Sequence, residues 1–251
     1  MSPKPGPGSR SAINMFQEGG SAAVGVARRG LNLVFGVGGS NTSKRKVETP
    51  RIVDPEKVIF GAPLERGVQL SKLDPTVELC SVVFRCIEFL EKWDSGAAIK
   101  EEGIYRLSGS ASTIQSLKLA FDLDFDVNLL KLSEMEILDV HAVTGLLKLY
   151  LRELPDSVLG HGEVKRDIVN ISNLIEKADK VKELARVLPL LPDSNYALLK
   201  HLSAHLQVVI QASNVNKMSM SNLSIVFSPT LSVPGGLLQV MVLEHEFVFL
   251  K

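Results

Sequence analysis

From about Ile59 to the C-terminus, apolar residues recur at helical spacing in one segment after another. In DPTVELCSVVFRCIEFLEKW they fall at Val77, Cys80, Val83, Phe84, Ile87 and Leu90. This is one stripe of a helix, with Asp74 in the N-cap position and Pro75 in the first turn. SASTIQSLKLAFD repeats the pattern through Ile114, Leu117, Leu119 and Phe121. SEMEILDVHAVTGLLKLYLREL, EVKRDIVNISNLIEKA, KVKELARVLPLL, NYALLKHLSAHLQVVIQAS and MSNLSIVFSPTL continue it, and no stretch alternates with the period of two of a strand. The spacing predicts an all-α fold, a bundle of helices joined by short loops. Ser133 and Glu136 fit a capping box, and Leu154-Pro155 and Leu191-Pro192 mark helix ends.

Composition divides the chain. Its 251 residues are 45% hydrophobic and suffice to bury a real core. Residues 1–51 hold eight basic residues against two acidic ones, in a chain whose net charge is zero. They include SPKPGPGSRS and FGVGGSNTSKRK, rich in Gly, Ser and Pro, with too little apolar surface to offset ordering entropy. Residues 1–58 are therefore expected to be a disordered basic linker, and residues 59–251 the folded domain. The basic character of the linker suits an anionic membrane surface. No apolar run reaches the roughly 18 to 20 residues of a membrane-spanning helix, and no basic segment leads directly into an apolar signal core. The expected setting is cytoplasmic. Cys80 and Cys86 fit neither a disulfide framework nor a zinc site, and read as buried thiols.

Motifs of a self-sufficient enzyme are missing. The sequence has no GxxxxGK[ST], no GxGxxG and no HExxH. His201 and His205 sit four apart, but the glutamate and third ligand of a zinc hydrolase are lacking. Asp122, Asp124 and Asp126 resemble the start of a calcium loop without its glycine and distal glutamate, and read as a solvated loop. The folded part is not basic and has few aromatic residues to stack bases, which argues against nucleic-acid binding. Three polar features remain. In GIYRLSGS, Arg106 follows two apolar anchors and precedes turn-prone residues, so it should point outward from a short, well-held loop. Lys148 and Arg152 lie four apart on one helix face. Asn222 opens an apolar run of Leu223, Ile225, Val226 and Phe227 that Pro229 closes.

In order and spacing, GIYRLSGS, LLKLYLRELPDSVL, LPDSNYALLKHLSAHL and NKMSMSNLSIVFSPTL resemble the successive signature blocks of the Rho GTPase-activating (RhoGAP) domain. The likeness runs from about Phe60 to the C-terminus. FGAPLERGVQLS and IVFSPTL look most like fungal cell-polarity RhoGAPs acting on cell-division-control and Rho-type GTPases. In such proteins the domain typically ends a longer chain with lipid-binding modules upstream, which would recruit it to the plasma membrane or cell cortex.

The resemblance implies a GTPase-activating protein for a Rho-family small GTPase, with Arg106 as the arginine finger. It implies that Lys148 contacts the partner's switch surface, that Arg152 braces the finger loop and that Asn222 bonds near the switch segments. Pro229 would shape the same surface, and Asn195 would serve helix capping and architecture. The domain would be an activator in trans, with no cofactor of its own, since GTP and Mg²⁺ belong to the partner. The alternative is a catalytically weak scaffold that binds the GTPase. Where many relatives read FGPNL this chain has Ser228 and Thr230, differences that bear on which GTPase is preferred.

Overall fold

The computed structural model describes residues 58–135 and 138–251. The linker predicted over residues 1–58 lies outside the described residues except for Val58, as does Glu136 of the predicted capping box. Among the described residues there are twelve α-helices, three short 3₁₀ segments and no strand, in agreement with the all-α expectation. The first helices are α1 (Leu64–Ser71), α2 (Ser81–Lys92), α3 (Ala111–Asp124), α4 (Leu129–Ser133) and α5 (Val140–Glu153). The remainder are α6 (Gly162–Ile171), α7 (Lys177–Val187), α8 (Asp193–Gln211), α9 (Ser213–Asn216), α10 (Met220–Leu231), α11 (Gly235–Leu243) and α12 (His245–Val248).

Several helix starts differ from those the spacing predicts, each for a local reason. Asp74 does not cap α2. Its carboxylate accepts from the amide and hydroxyl of Thr76, both at 2.7 Å, closing a turn on itself. The helix begins seven residues later, where the Ser81 amide donates to Ser71 Oγ at 3.1 Å. Ser133 is likewise no N-cap, because it ends α4 and its hydroxyl donates to the Leu130 carbonyl at 2.6 Å. The cap of α5 is Asp139, which accepts from the His141 amide at 2.9 Å. Pro229 does not close α10. The helix runs on to Leu231 and ends at Ser232 in a left-handed conformation, φ 54°.

Helix α5 lies at the centre, packed on α2 and α3 and against α10. Val143, Leu146, Leu147, Tyr150 and Leu151 are buried along it, and each such side chain contributes about 1.5–3 kcal/mol by leaving water. At Gly145 a Cβ would stand 2.5 Å from Ile114 Cδ1, so the missing side chain is what lets α3 approach. The pattern misplaced Leu119, which is exposed on α3 while Leu117 and Phe121 are fully buried.

The acidic run of α3 is not a solvated loop. Asp122, in the last turn of the helix, accepts from the amides of Ile59 (2.8 Å) and Phe60 (3.0 Å) and so fastens the start of the domain. Asp126 receives the Arg85 guanidinium through Nε at 2.7 Å and Nη2 at 3.0 Å. Among the described residues no cluster of three His, Cys, Asp or Glu side chains fit to hold a metal ion occurs, and no single helix is long and apolar enough to cross a membrane. Both cysteines are buried free thiols.

Candidate functional site

The segment between α2 and α3 turns through three consecutive left-handed residues, Asp94, Ser95 and Gly96, and returns as a loop over residues 101–110. Its geometry is fixed by backbone bonds. Gly103 donates its amide to the Asn216 carbonyl at 2.8 Å, and its own carbonyl accepts from the amides of Arg106 (2.8 Å) and Leu107 (2.9 Å). Gly103 has φ +69°, and a side chain there would meet Leu107 Cγ at 2.8 Å, so both conformation and space require glycine.

Ile104 and Tyr105 are fully buried while Arg106 is exposed. Two anchors point inward and the arginine points outward, as the apolar-apolar-cation pattern predicts. Among the described residues the Arg106 guanidinium has no hydrogen-bond or ion-pair partner. At the far end of the loop a Cβ on Gly109 would stand 2.2 Å from the Ala142 amide nitrogen, so the loop lies directly on the first turn of α5.

Lys148 reaches the loop from α5. Its Nζ donates to the carbonyl of Tyr105, the residue before the arginine. Burial, and secondarily the Arg152 charge, hold the Lys148 ammonium below its ordinary pKa. Arg152, one turn further along α5, is exposed, and among the described residues no hydrogen bond ties it to the loop. The cation that braces the loop backbone in this structure is Lys148. A shallow pocket of about 240 Å³ lies between them, lined by Ser108, Gly109, Ile114, Lys148 and Arg152 among others.

The third wall is α10. Ser219 caps it, accepting from the Asn222 amide at 3.3 Å, and Asn222 Nδ2 donates to the Lys217 carbonyl at 2.9 Å. Phe227 packs edge-on against Tyr105 with ring centroids 4.9 Å apart, which joins the helix to the loop. Asn222 and Pro229 are seven residues apart and share a face of α10. Between them on that face is Ile225, 72% exposed. Ile225 belongs by spacing to the apolar run that Asn222 opens, but only Leu223 and Phe227 of that run are fully buried. Spacing of three from Asn222 and four from Pro229 was the signal for it.

Asn195 stands away from this face, in the first turn of α8. Its Nδ2 donates to the carbonyls of Ser157 (3.3 Å) and Val158 (3.1 Å), tying the loop after α5 to α8. Asn216, which no motif in the sequence marks, is fully buried. Its Nδ2 donates to Ile99 O (2.8 Å) and Val209 O (2.9 Å), and its Oδ1 accepts from the Met218 amide (2.8 Å). Together with its carbonyl on Gly103, Asn216 fastens the arginine loop to the start of α10. An asparagine bonding the amide two residues on is a recognisable local pattern, but its longer bonds are not visible along the chain.

This arrangement presents three cations, one of them on an exposed loop with a rigid base, beside an apolar and amide-bearing helix face. Chemically it suits an anionic group presented by a protein partner. The RhoGAP domain family matches residues 80–235. Among curated proteins, the chain is 44% identical over 191 residues to the Schizosaccharomyces pombe protein named "Probable Rho-type GTPase-activating protein 2", covering 76% of this chain and 14% of that protein. It is 38% identical over 208 residues to the Saccharomyces cerevisiae GTPase-activating protein BEM3, covering 76% of this chain and 18% of the relative. It is 35% identical over 214 residues to human Rho GTPase-activating protein 24, covering 77% and 27%. The chain thus spans less than a third of the length of these relatives. Among solved structures, human Rho GTPase activating protein 15 superposes with a TM-score of 0.63 at 26% identity, over 77% of this chain and 93% of that one. The sequence match and the fold agree in placing this chain in the RhoGAP domain family.

Proposed function

We propose that this domain accelerates GTP hydrolysis by a Rho-family small GTPase, and that Arg106 is the residue it inserts. The observation that supports this most is the contrast at one peptide unit. Tyr105 is buried and bonded, whereas Arg106 is exposed with its guanidinium unpartnered among the described residues. A side chain so placed can enter another protein's active site while its backbone stays fixed.

The chemistry explains why an arginine is useful there. Phosphoryl transfer to water moves charge onto the β–γ bridging oxygen and the γ-phosphoryl oxygens, and a cation supplied in trans stabilises that charge. Arginine keeps its charge when desolvated and donates to two oxygens from a planar fork, which a lysine ammonium cannot reproduce. Such a finger is worth about 10³ to 10⁵ in rate, or about 4 to 7 kcal/mol of barrier. In this reading GTP and Mg²⁺ belong to the partner and the domain brings no cofactor. It is an activator with no substrate of its own, and it works in the cytoplasm or at the membrane where the partner resides. The Arg106 carbonyl helps hold the partner glutamine that orients the attacking water. Lys148 and Arg152 meet the acidic part of the switch surface, and Asn222, Ile225 and Pro229 its amide and apolar parts.

Single-turnover GTP hydrolysis by a panel of Rho-, Rac- and cell-division-control-type GTPases tests this reading. Wild-type protein should stimulate at least one of them strongly. Arg106→Ala and Arg106→Lys should both remove most of the stimulation while leaving binding to the GTP-loaded form. Binding without stimulation by the wild type would make the domain a scaffold.

A further inference from the structure

A line of polar side chains from α2 and α8 reaches the arginine loop at the Tyr105 hydroxyl. Glu91 on α2 meets His205 on α8, Oε1 to Nδ1, at 2.9 Å. His205 Nε2 meets the hydroxyl of Tyr105 at 2.6 Å. His205 is 1% exposed and Tyr105 is fully buried, whereas the Glu91 side chain is 26% exposed, so the line begins at solvent and ends under the loop.

One arrangement of protons satisfies every bond along the line. An ionised carboxylate only accepts, so the tautomer that satisfies the bond to Glu91 carries its proton on His205 Nδ1. Burial raises the Tyr105 phenol well above its ordinary pKa, so the hydroxyl keeps its proton, and with the ring's proton on Nδ1 the phenol donates to the lone pair on Nε2. One orientation of the imidazole and one of the phenol satisfy both bonds.

Tyr105 has reason to be held. Its φ is +68°, in the left-handed region that a bulky side chain adopts at a cost of about 1–2 kcal/mol. Three contacts grip it there: His205 at the hydroxyl, Phe227 edge-on at the ring, and Lys148 at the carbonyl. The next residue is Arg106, so the backbone direction chosen at Tyr105 sets where the guanidinium leaves the loop. A phenylalanine would pack the same ring without a hydroxyl for His205, so apolar packing alone does not account for these polar groups.

We propose that Glu91, His205 and Tyr105 form a positioning relay for Arg106. It rests on the reading of Arg106 as the group inserted in trans, and its residues are positioning residues that touch neither nucleotide nor partner. The test uses the full chain with Tyr105→Phe, Glu91→Gln and the double variant. Two readouts are taken: the maximal single-turnover rate at saturating activator, with affinity for the GTP-loaded partner measured beside it, and amide hydrogen exchange of the free protein over residues 101–110. Tyr105→Phe should lower the maximal rate about tenfold, the worth of one buried hydrogen bond. Affinity should change less than about twofold, and exchange at Arg106 and Leu107 should quicken by about the same tenfold. Glu91→Gln should have a smaller effect in the same direction, and the double variant should be no worse than Tyr105→Phe, because the glutamate acts through the hydroxyl.

Unchanged exchange and unchanged maximal rate in Tyr105→Phe would overturn the relay, as would fully additive losses in the double variant. If Tyr105→Phe fails to fold, Glu91→Gln at the solvent end of the line decides between the same outcomes. Should the wild type stimulate no GTPase, the reading of Arg106 fails by itself, and the exchange arm still decides whether this line holds the loop.

Discussion

Substituting Gly109 with alanine adds one methyl group and should disable the domain. The added Cβ would stand 2.2 Å from the Ala142 nitrogen, 2.4 Å from the His141 carbonyl carbon and 2.6 Å from Ala142 Cα. All three are backbone atoms in the first turn of α5. A methyl group at 2.2 Å must retreat by about 1.2 Å to reach ordinary contact at 3.4 Å. The helix cannot yield easily, because Asp139 caps that turn and Ala142 and Val143 are fully buried. The loop must move instead.

Overpacking of this kind costs about 1–3 kcal/mol, which for a domain of this size lowers Tm by about 2–12 °C. Displacing a catalytic group by about 1 Å costs on the order of a hundredfold in rate. Gly236→Ala is the control, since a Cβ there meets nothing within 4 Å and the backbone does not require glycine. It should leave the rate unchanged and hold or slightly raise stability, by about 0.4–1 kcal/mol. Calorimetry and single-turnover hydrolysis measure both effects. A Gly109→Ala protein with wild-type Tm and a rate within twofold of wild type would refute the close approach of loop and helix.

Asn216→Ala removes three side-chain hydrogen bonds at a fully buried position and leaves the carbonyls of Ile99 and Val209 and the Met218 amide without that partner. Urea unfolding should show a loss of about 2–5 kcal/mol, and a loss under 1 kcal/mol would contradict the bonding described. A third expectation concerns pH. Burial holds His201 and His245 below the ordinary histidine value of 6.5, although their ring nitrogens meet the carbonyls of Ala197 and Lys200. The fold thus favours both rings neutral, and just below pH 6.5 the unfolded chain binds more protons. Stability should be complete above about pH 6.5 and decline as pH falls through that value. A urea midpoint that rose between pH 7 and pH 5.5 would contradict the sign.

What the sequence discloses depends on the range of each interaction. Helical spacing reports one-sided burial, so the all-α architecture and buried positions such as Leu117, Phe121, Leu146 and Leu147 were legible. The same letters on an outer face carry the same signal, which is why Leu119 and Ile225 were placed with the core. Caps behave likewise. Asp139 and Asp74 are the same residue type before apolar runs, but Thr76 captures the second in a turn before a helix can use it. The cations and the asparagine of the candidate site were legible because each sits in a compact block. Glu91 and His205 are 114 residues apart, and Asn216 and Ile99 are 117 apart. Neither pairing has a local pattern, and only packing of α2 against α8 and of the 3₁₀ turn Ala98–Lys100 against α9 brings them together.

Stability and activity separate at adjacent residues of this loop, and that separation is itself diagnostic. The Arg106 guanidinium is exposed and unpartnered among the described residues, so its removal should change stability by no more than about 0.5 kcal/mol. Tyr105 next to it carries the strained backbone, the ring contact and two polar bonds. A loop built only to connect α2 to α3 has no need of so rigid a base beneath a free cation. A loop that must deliver a cation into another protein does, because every degree of freedom already fixed in the backbone is one that binding need not freeze. The expected pair of results is therefore an Arg106→Ala protein that melts with the wild type yet fails to activate. An Arg106→Ala protein that melts several degrees lower would show that the arginine serves the fold, and that its exposure does not mark a group held ready for a partner.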